Sequence, residues 1–464
     1  MSDRVPTAVV LGGSLAGMLA ARALAPFADR VTVLERDVLS AGPAPRRCLP
    51  QARHAHQLWS GGARALEELL PGVTGRLRRQ GAHRLPVTTD MVVLCPRGWY
   101  RRWEESHSML LCTRDLLDAE VRARVCADER VEVLERAEAV GLAGTGAAVT
   151  GVRVRERGAA ERILPAGLVV DATGRGSRML HWLRELGLPG PRQREVDSGL
   201  VYASRLFRAP EAARDGFPVV NLQMDPRSWG PGRGGVLLPV EDGRWLVTLF
   251  GTRGGEPPSS SDGFAAYARR ELRHPVIGEL IARAEPLTGV SVTRATANRR
   301  RFYERTAHWP ENLVVLGDAL AALNPVYGHG MSVAAQSAAG LRSVLRRRGW
   351  GAPGLARAAQ RAAARPAGAA WDLAVGQDVF FPGAAPGGPS LRERLAAAYV
   401  DRLAHTATGN GRIARRLTDV MALERGAEVL LTPSVLVAAA AGPLAPPLNG
   451  PPLTAQERKA AELD

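Results

Sequence analysis

The stretch that decides the fold is residues 7–35, TAVVLGGSLAGMLAARALAPFADRVTVLE. Its first part, Thr7–Leu11, is a run of β-branched and aliphatic residues that predicts a buried parallel strand. A glycine-rich turn at residues 12–17 leads into a helix-forming segment, and residues 30–34 predict a second strand that ends at Glu35. Strand, glycine turn, helix, strand and acidic residue within about thirty residues are typical of a doubly wound domain that binds a dinucleotide.

The residues of this turn have separate physical roles. Gly12 permits the tight turn, and Gly17 lets the helix lie close to the strand. The N–H groups at the helix N-terminus point toward a pyrophosphate, and Ser14 is small enough to let that phosphate approach. Glu35 can accept hydrogen bonds from both ribose hydroxyls and would repel a 2′-phosphate. The nucleotide is therefore expected to be FAD or NAD rather than NADP.

A second motif, about 300 residues later, favours FAD. Residues 312–316 (NLVVL) predict another buried strand, and Asp318 lies at its end, where a carboxylate can hold a ribityl hydroxyl. Residues 328–331 (GHGM) then begin an alanine-rich helix. The positive end of that helix would stabilise the N1–C2=O edge of a reduced flavin, which carries negative charge. NAD needs no such second site, so the two motifs together predict FAD.

The composition excludes several other functions. The chain has 464 residues, with 61 lysines and arginines against 46 aspartates and glutamates, and a formal net charge of +15. The basic residues are arginines except for Lys459, and they are scattered among acidic residues without interleaved aromatic residues. We therefore expect no nucleic-acid partner. The cysteines form no CxxC pair and no histidine lies at ligand spacing, so we expect no metal site.

The hydropathy pattern bears on the location of the protein. The N-terminus carries no signal-peptide pattern. No apolar run reaches the roughly 18 residues of a membrane span. The longest candidate, residues 435–448, is interrupted by prolines. We expect a cytoplasmic protein whose contact with membranes is at most peripheral.

The two motifs resemble the aromatic-hydroxylase class of FAD-dependent monooxygenases, whose FAD domain is a Rossmann type related to glutathione reductase. The resemblance covers about residues 5–345 and implies that Arg114, at the start of a helix capped by Thr113, reaches the FAD phosphates. Residues 168–178 (LVVDATGRGSR) fit the middle motif of that family. They carry Thr173-Gly174 where the hydroxylases carry Asp-Gly, a pair tied to both FAD and NADPH, so the resemblance does not extend to direct docking of NADPH.

The resemblance also implies a set of cofactor contacts. Arginines near residue 46 lie where related flavoproteins place them on FAD or the nicotinamide, although a solvated or ion-paired side chain is an equal alternative for each. The implied FAD-binding residues are Gly12, Gly13, Ser14, Ala16, Gly17, Glu35, Arg36, Arg47, Arg53, Arg114, Gly317, Asp318, Pro325, Gly328, Gly330, Met331 and Ser332.

A narrower resemblance is to the bacterial polyether polyene epoxidases, such as those of monensin and lasalocid, which are distant relatives of squalene epoxidase. It is carried by DATGRGSR and by residues 50–56 (PQARHAH), 297–300 (ANRR) and 324–332 (NPVYGHGMS). It implies epoxidation of carbon–carbon double bonds in an apolar polyketide or isoprenoid through a flavin C4a-hydroperoxide, without a general base. The implied reductant is NAD(P)H, used directly or through a partner flavin reductase.

Several alternatives stay open at this point. An FAD-dependent hydroxylase of an aromatic or polyketide substrate would gain from a base, for which His54 and Tyr202 are candidates. A flavin-dependent isoprenoid reductase would use a similar apolar pocket, and a flavin-binding protein without turnover is a further possibility. Halogenation is disfavoured because it requires a lysine in the family that performs it, and this chain has only Lys459.

The remaining predictions concern the substrate side. His329, between two glycines at the predicted flavin edge, is the one candidate catalytic residue, although its ring could instead point away from the cofactor. His54 and His56 are expected to form structural hydrogen bonds rather than to bind a metal. An antiparallel sheet is predicted over residues 198–254, with a hairpin turn at residues 241–244. Candidate wall residues on it, each with core packing as the alternative, are Tyr202, Leu222, Met224, Leu237 and Phe250.

The predicted fold is α/β, with a discontinuous Rossmann-type FAD-binding domain, an inserted antiparallel β-sheet substrate domain and a C-terminal helical region. We expect the FAD-binding domain to comprise residues 1–85, 105–190 and 290–345. The substrate domain is expected at residues 86–104 and 191–289, and a helical cap with a flexible tail at residues 346–464.

Overall fold

A computed structural model of the chain describes residues 6–46, 49–228 and 230–463. Its strands are β1 (Thr7–Leu11), β2 (Arg30–Glu35), β3 (Gln57–Trp59), β4 (His83–Val87), β5 (Met91–Cys95), β6 (Gly98–Trp99), β7 (His107–Leu111), β8 (Val131–Glu135), β9 (Ala137–Gly144), β10 (Val149–Glu156), β11 (Arg162–Pro165), β12 (Leu168–Asp171), β13 (Gln193–Val196), β14 (Val201–Arg208), β15 (Val219–Leu222), β16 (Arg233–Val240), β17 (Arg244–Gly251), β18 (Glu285–Pro286), β19 (Ser291–Thr293), β20 (Asn298–Arg301), β21 (Leu313–Val315) and β22 (Ala321–Ala322). Its α-helices are α1 (Leu15–Leu24), α2 (Ser60–Leu69), α3 (Val73–Arg79), α4 (Arg114–Cys126), α5 (Met179–Glu185), α6 (Ser261–Arg270), α7 (Val276–Ile281), α8 (Gly330–Arg348), α9 (Leu355–Asp378), α10 (Leu391–Ala407), α11 (Gly411–Met421), α12 (Pro433–Ala441) and α13 (Ala455–Ala460).

The centre of the molecule is a five-stranded parallel sheet with the order β21-β12-β1-β2-β8. β1 lies in its middle, pairing with β12 on one side and β2 on the other. Its residues Ala8 to Leu11 are almost completely buried, as expected for a strand covered on both faces. α1 and α8 pack together beside this sheet. The predicted α/β fold with a Rossmann-type FAD-binding domain is thus confirmed.

The largest sheet is the predicted antiparallel one. It has eight strands, seven of them in the order β18-β14-β17-β16-β15-β5-β6, with β19 pairing to β14. All its pairs are antiparallel except β15 with β5. The predicted turn between β16 and β17 is present, and Asp242 and Gly243 both have φ of 62°, which suits a tight hairpin.

The eight-stranded sheet buries a different set of side chains on each face. Its far face packs on α6 and α7, forming a core that includes Phe207, Val247 and Phe264. Its near face contributes Tyr202 and Phe250 to the core of the FAD-binding domain. Side chains alternate along a strand, so this division follows directly from the register.

Three smaller antiparallel sheets complete the β-structure of the described residues. They have the orders β11-β10-β9, β13-β20-β22 and β3-β7-β4. β22, which follows β21 along the chain, pairs with β20. β3 brings the segment after residue 56 beside the loop that precedes α8.

The C-terminal region is divided among three places. α9 packs on α8 and on β21, and the Gln360 side chain makes two hydrogen bonds to the backbone of Val315 on that edge strand. α10, α11 and α12 form a small separate core. The sequence predicts a flexible tail, whereas the structure packs α13 on the substrate sheet through Ala461 and an Arg102–Glu457 ion pair. Burial of the apolar Ala461 side chain explains why this segment is packed rather than flexible. No helix of the described residues is long and apolar enough to cross a membrane.

Candidate flavin site

Three predicted motifs meet at one edge of the parallel sheet. Leu11 of β1 pairs with Asp171 of β12, which pairs with Val315 of β21. Each strand therefore ends at the same level, and the segments that follow all leave from the carboxyl edge. In open α/β sheets, ligands bind in the crevice at this edge.

Close backbone approaches explain the glycines at this edge. A Cβ atom at residue 17 would overlap the carbonyl oxygen of Gly12, so only glycine lets α1 lie this close to β1. Gly12 itself has φ of +95°, in the region that favours glycine. Gly317, with φ of +61°, lies against Ala16, since a Cβ atom there would be 2.9 Å from the Ala16 methyl group. The first and second motifs are thus in contact.

The N-terminus of α1 has the features of an anion site. Ser14 is its N-cap, and the Ser14 side chain makes no capping hydrogen bond to the N–H groups of the first turn. Arg114 lies beside it, with its Nη2 donating to Ser14 Oγ at 3.3 Å and its Nε donating to Asp118 at 2.7 Å. Thr113 caps α4 by accepting from Leu116 N–H, as predicted, and so fixes the position of Arg114. A helix N-terminus and an arginine together suit a pyrophosphate.

Glu35 lies at the end of β2 and is 5% exposed. Its Oε2 accepts from Gly13 N–H at 2.9 Å and pairs with Arg46 Nη2 at 2.6 Å, while its Oε1 accepts from Asp37 N–H. Glu35, which is predicted to bind the ribose hydroxyls, is therefore also paired with Arg46.

The structure gives less support to the other arginines that were predicted to bind FAD. Arg36, next to Glu35, is exposed, and so is Arg53 in the 3₁₀ turn Pro50–Arg53. Arg47 lies outside the described residues. The structure thus brings Arg46 and Arg114 to the glycine turn and leaves Arg36 and Arg53 on the surface.

Asp318 lines the cleft next to the glycine turn. Its side chain keeps 35% exposure, and none of the described residues donates a hydrogen bond to its carboxylate. Burial raises the pKa of this carboxyl group, and the charges of Arg175, Arg114 and Arg299 act in the opposite direction. Arg175 Nε, which has no hydrogen-bond partner among the described residues, lies 4.0 Å from Asp318 Oδ2. The free acceptors of Asp318 fit ribityl hydroxyls.

The start of α8 forms the other end of the cleft. Gly330 is exposed, no described atom beyond its chain neighbours and its own helix backbone lies within 4 Å of where its Cβ would be, and the side chain of the N-cap residue His329 does not cap the helix. Gly328 has φ of +66° and lies against the Gln57 side chain. Met331 and Ser332 are buried, so Gly330 is the exposed residue at the start of this helix. Pro325 begins the 3₁₀ turn that precedes this helix.

These features fit FAD. The cleft offers an uncapped helix N-terminus and arginine for the pyrophosphate, a free carboxylate for the ribityl chain and a second open helix N-terminus for the ring. The residues that would hold FAD are Gly12, Gly13, Ser14, Ala16, Gly17, Glu35, Arg114, Asp318 and the backbone of Gly330.

Sequence comparison identifies the class of protein. Residues 8–180 match the family model described as FAD dependent oxidoreductase. Protein Rv3254 of Mycobacterium tuberculosis is 32% identical over 385 residues, which cover 81% of this chain and 80% of that protein. The chain belongs to the same family as Rv3254, and within it residues 8–180 form the part that matches the FAD dependent oxidoreductase model.

Solved structures share the fold of this oxidoreductase at low sequence identity. The flavin-dependent brominase Bmp2 superposes with a TM-score of 0.60 at 14% identity, covering 89% of this chain and 92% of that one. PqsL, a probable FAD-dependent monooxygenase from Pseudomonas aeruginosa, gives 0.60 at 17% identity and covers 82% and 99%. A variant of 2-methyl-3-hydroxypyridine-5-carboxylic acid oxygenase gives 0.58 at 16% identity and covers 94% and 96%.

The candidate catalytic residue His329 is turned away from the open end of α8. Its ring is buried, with Nε2 donating to the Met421 carbonyl at 2.9 Å, and it stacks on Tyr327. Nδ1 has no partner among the described residues, and burial lowers the pKa of this histidine to about 4. The ring of His329 is thus held by Met421 and Tyr327, which agrees with the alternative interpretation of the sequence, in which the ring points away from the cofactor.

Two other histidines lie between the cleft and the substrate sheet. His54 is 4% exposed, and its Nδ1 is 2.7 Å from Ser204 Oγ, which in turn is 2.6 Å from Thr248 Oγ1. His56 Nδ1 donates to the His54 carbonyl at 2.7 Å. The predicted structural hydrogen bonds are thus present. Burial lowers the pKa of His54 to about 4 and that of His56 to about 3, helped in the second case by the charge of Arg114.

A buried carboxylate that the sequence did not reveal organises the loop before α8. Asp378, at the C-terminal end of α9, is 1% exposed and accepts hydrogen bonds from the Asn298 amide, the Asn324 amide and the Tyr327 hydroxyl at 2.7 to 2.8 Å. Asn324 Oδ1 in turn accepts from the Tyr202 hydroxyl at 2.9 Å. This network, called here the Asp378 network, joins α9, the flavin-edge loop and the substrate sheet.

The sequence contains a pattern from which the burial of Asp378 could have been predicted. Trp371, Ala374, Val375 and Asp378 recur at the spacing of one helical face, and all four are buried. A carboxylate in line with an apolar stripe indicates a buried polar network, because an unpaired charge there would be costly.

The residues of the predicted substrate wall divide between the two faces of the sheet. Tyr202, Met224 and Phe250 belong to the core cluster that faces the FAD-binding domain. Leu222 and Leu237 instead lie in the far-face core with α6 and α7, so the prediction that they line the pocket is wrong. The strand register sends alternate residues to opposite faces, and the sequence did not show which face each strand turns toward the flavin.

Proposed function

We propose that this oxidoreductase is an FAD-dependent monooxygenase that epoxidises carbon–carbon double bonds of an apolar polyketide or isoprenoid intermediate. NAD(P)H would be the reductant, directly or through a partner flavin reductase. Bound FAD, once reduced, supplies the activation of O₂. The chain holds the cofactor, excludes water and presents one face of the alkene. The oxygenase and probable monooxygenase among the structural neighbours support an oxygenase reaction.

The observation that carries the proposal is the low basicity of the two histidines between the substrate sheet and the cleft. With pKa values of about 4 and about 3, His54 and His56 are uncharged and weakly basic at neutral pH. Burial raises the pKa of Tyr202 well above its usual range. Hydroxylation of a phenol gains from a base that removes the phenolic proton. An alkene needs no such base, so this environment favours an alkene substrate.

The packing on the near face of the sheet agrees with an apolar substrate. Met224, Phe250 and Phe381 are buried in one cluster with Tyr202. The polar groups of this face are occupied within the protein, since Ser204 binds His54 and Tyr202 binds Asn324. A hydrocarbon chain entering here would leave no buried polar group unpaired.

Bromination, the reaction named for Bmp2, is not favoured for this chain. Its single lysine, Lys459, is exposed on α13, which packs against the far-face core of the substrate sheet. No lysine is therefore present at the flavin cleft to take up a hypohalous acid.

A substrate panel distinguishes the proposal from its alternatives. Purified holoenzyme is given NAD(P)H, with and without a flavin reductase, and either a linear isoprenoid polyene or a phenol. The proposal predicts O₂-dependent consumption of the polyene and formation of an epoxide. Turnover of the phenol alone would indicate a hydroxylase, and saturation of the polyene without O₂ would indicate a reductase. No turnover of either, with FAD firmly bound, would favour a flavin-binding protein without catalysis.

A further inference from the structure

Exposed apolar side chains are concentrated in one part of the molecule. Among the described residues, nine large apolar side chains are exposed, and only Val38 and Ile163 lie outside residues 391–444. The other seven form what is called here the α10–α12 surface: Leu391, Leu395, Val400, Leu431, Leu436, Val437 and Leu444. Such a concentration marks an interaction surface rather than ordinary surface variation.

The helix α12 is apolar on nearly all sides. Only Val435 and Ala439 of its nine residues are buried, while Leu436 is 45% exposed and Val437 is 70% exposed. No residue from 429 to 456 is charged, in a chain whose residues are 23% charged. A helix of this kind gains free energy if its exposed side enters an apolar medium.

Positive charge lies beside this apolar helix. Arg402 is exposed and donates to the carbonyl oxygens of Ala439 and Ala440, at 2.6 and 2.8 Å, so its guanidinium group is fixed at the C-terminal end of α12. Arg392 and Arg394 are exposed on α10, and neither forms an ion pair with a described residue. Arg394 and Arg402 thus form no ion pair with a described residue, while Arg392 interacts only through its charge with the Asp372 carboxylate of α9.

We propose that the α10–α12 surface docks on an anionic lipid bilayer, with α12 lying in the interface and the arginines on the headgroups. Apolar side chains flanked by arginines are typical of interfacial helices. A protein partner fits less well, because binding hot spots are rich in Trp and Tyr and poor in Leu and Val, whereas this surface is made of leucine and valine. The proposal does not depend on which reaction the enzyme performs.

Co-sedimentation with vesicles tests the proposal. FAD-loaded protein is mixed with vesicles of phosphatidylcholine containing phosphatidylglycerol, and with vesicles of phosphatidylcholine alone, at low and high salt. Binding is expected to the anionic vesicles and to weaken as salt is raised. The double variant Leu436→Asp/Val437→Asp should lower the affinity by about tenfold or more. Ile163→Asp, at a residue 57% exposed on β11, should bind as the parent does.

Further variants and measurements decide the remaining outcomes. Arg392→Gln/Arg394→Gln should weaken binding at low salt and reduce the salt dependence. The flavin absorbance and circular dichroism of every variant establish that it is folded. Absence of vesicle binding by the folded parent would overturn the proposal. So would equal binding to neutral vesicles, or an oligomer in light scattering that the α12 variant dissociates without any vesicle binding, which would make this surface an interface between copies of the chain.

Discussion

Gly17 is the residue at which the geometry of the cleft allows least variation. A methyl group there would overlap the Gly12 carbonyl oxygen and separate α1 from β1. We expect Gly17→Ala, and more so Gly17→Val, to purify without FAD, because the pyrophosphate site depends on this approach. Gly75→Ala, at a helical glycine on α3 outside the cleft, is the matched control, since the nearest atom to a Cβ there would be 3.7 Å away. The ratio of flavin to protein absorbance measures the result. A full flavin spectrum in the Gly17 variants would mean that the pyrophosphate lies elsewhere.

Asp318 tests the ribityl end of the site. Its carboxylate has no hydrogen-bond donor among the described residues, so its loss should disturb the cofactor rather than the fold. A hydrogen bond to a charged acceptor contributes about 1.5–3 kcal/mol. We therefore expect Asp318→Ala to weaken FAD binding by about 10- to 100-fold, as measured by titration of the apoprotein. Asp215→Ala, at an exposed residue, should bind FAD as the parent does. Unchanged affinity in Asp318→Ala would refute the ribityl role.

The buried histidines predict how stability depends on pH. His54 and His329 have pKa values of about 4 in the folded protein, against about 6.5 in an unfolded chain. Between these values the unfolded state binds protons that the folded state does not. The free energy of unfolding therefore falls as pH falls from 6.5 to 4, by up to about 3 kcal/mol for each histidine, and is unaffected by them above pH 6.5.

Urea unfolding at pH 7.5 and pH 5 measures this effect. His329→Gln should lose about 2 kcal/mol less than the parent between the two values, because it removes one titrating group. His308→Gln, at an exposed residue, should behave as the parent does. An identical loss in His329→Gln would show that this histidine does not titrate as the burial of its ring requires.

For single residues, the sequence predicted which side chains lie close together better than it predicted the direction in which a side chain points. Arg114 lies beside Ser14 as the motif implied, because both positions follow from local helix starts. The ring of His329 turns toward Met421, a residue of α11 that no local pattern connects to it. Asp378 was not predicted, because its partners Asn298 and Asn324 come from distant parts of the chain.

Among the elements, α9 determines the conformation of the loop that precedes α8. Asp378→Ala would leave two amide groups and the Tyr327 hydroxyl without their acceptor. We expect the free energy of unfolding to fall by about 3 kcal/mol or more, with weaker FAD binding because the loop lies at the flavin edge. Asp372→Ala is the control, as this residue is exposed on the same helix. Equal effects in the two variants, measured by urea unfolding, would show that the network does not support the loop.

The strands and helices near the motifs were predictable because hydrophobic periodicity and turn residues are local signals. The β16–β17 hairpin with Asp242 and Gly243 is one case. The packing of α9 was not predictable in the same way. Its apolar face indicates burial, but only the assembled structure shows that it covers β21 and α8 rather than forming a cap.

For the whole molecule, three segments distant in sequence build one cleft. β1, β12 and β21 are neighbours in a single sheet, so residues near positions 12, 172 and 317 meet at one edge. The order of the strands is recognisable from the family motifs. The motifs do not show which face of the substrate sheet turns toward the FAD-binding domain. For that reason Leu222 and Leu237 were assigned to the wrong side of the sheet.

The central claim, oxygen transfer to an alkene by an FAD-dependent oxidoreductase, is tested most directly with labelled oxygen. The holoenzyme is supplied with NAD(P)H, a flavin reductase and a linear isoprenoid polyene under ¹⁸O₂, and the products are analysed by mass spectrometry. We predict an epoxide that carries one ¹⁸O atom for each double bond oxidised and none when the label is supplied as H₂¹⁸O. A product that lacks ¹⁸O from ¹⁸O₂, or a saturated product formed equally without O₂, would contradict the account.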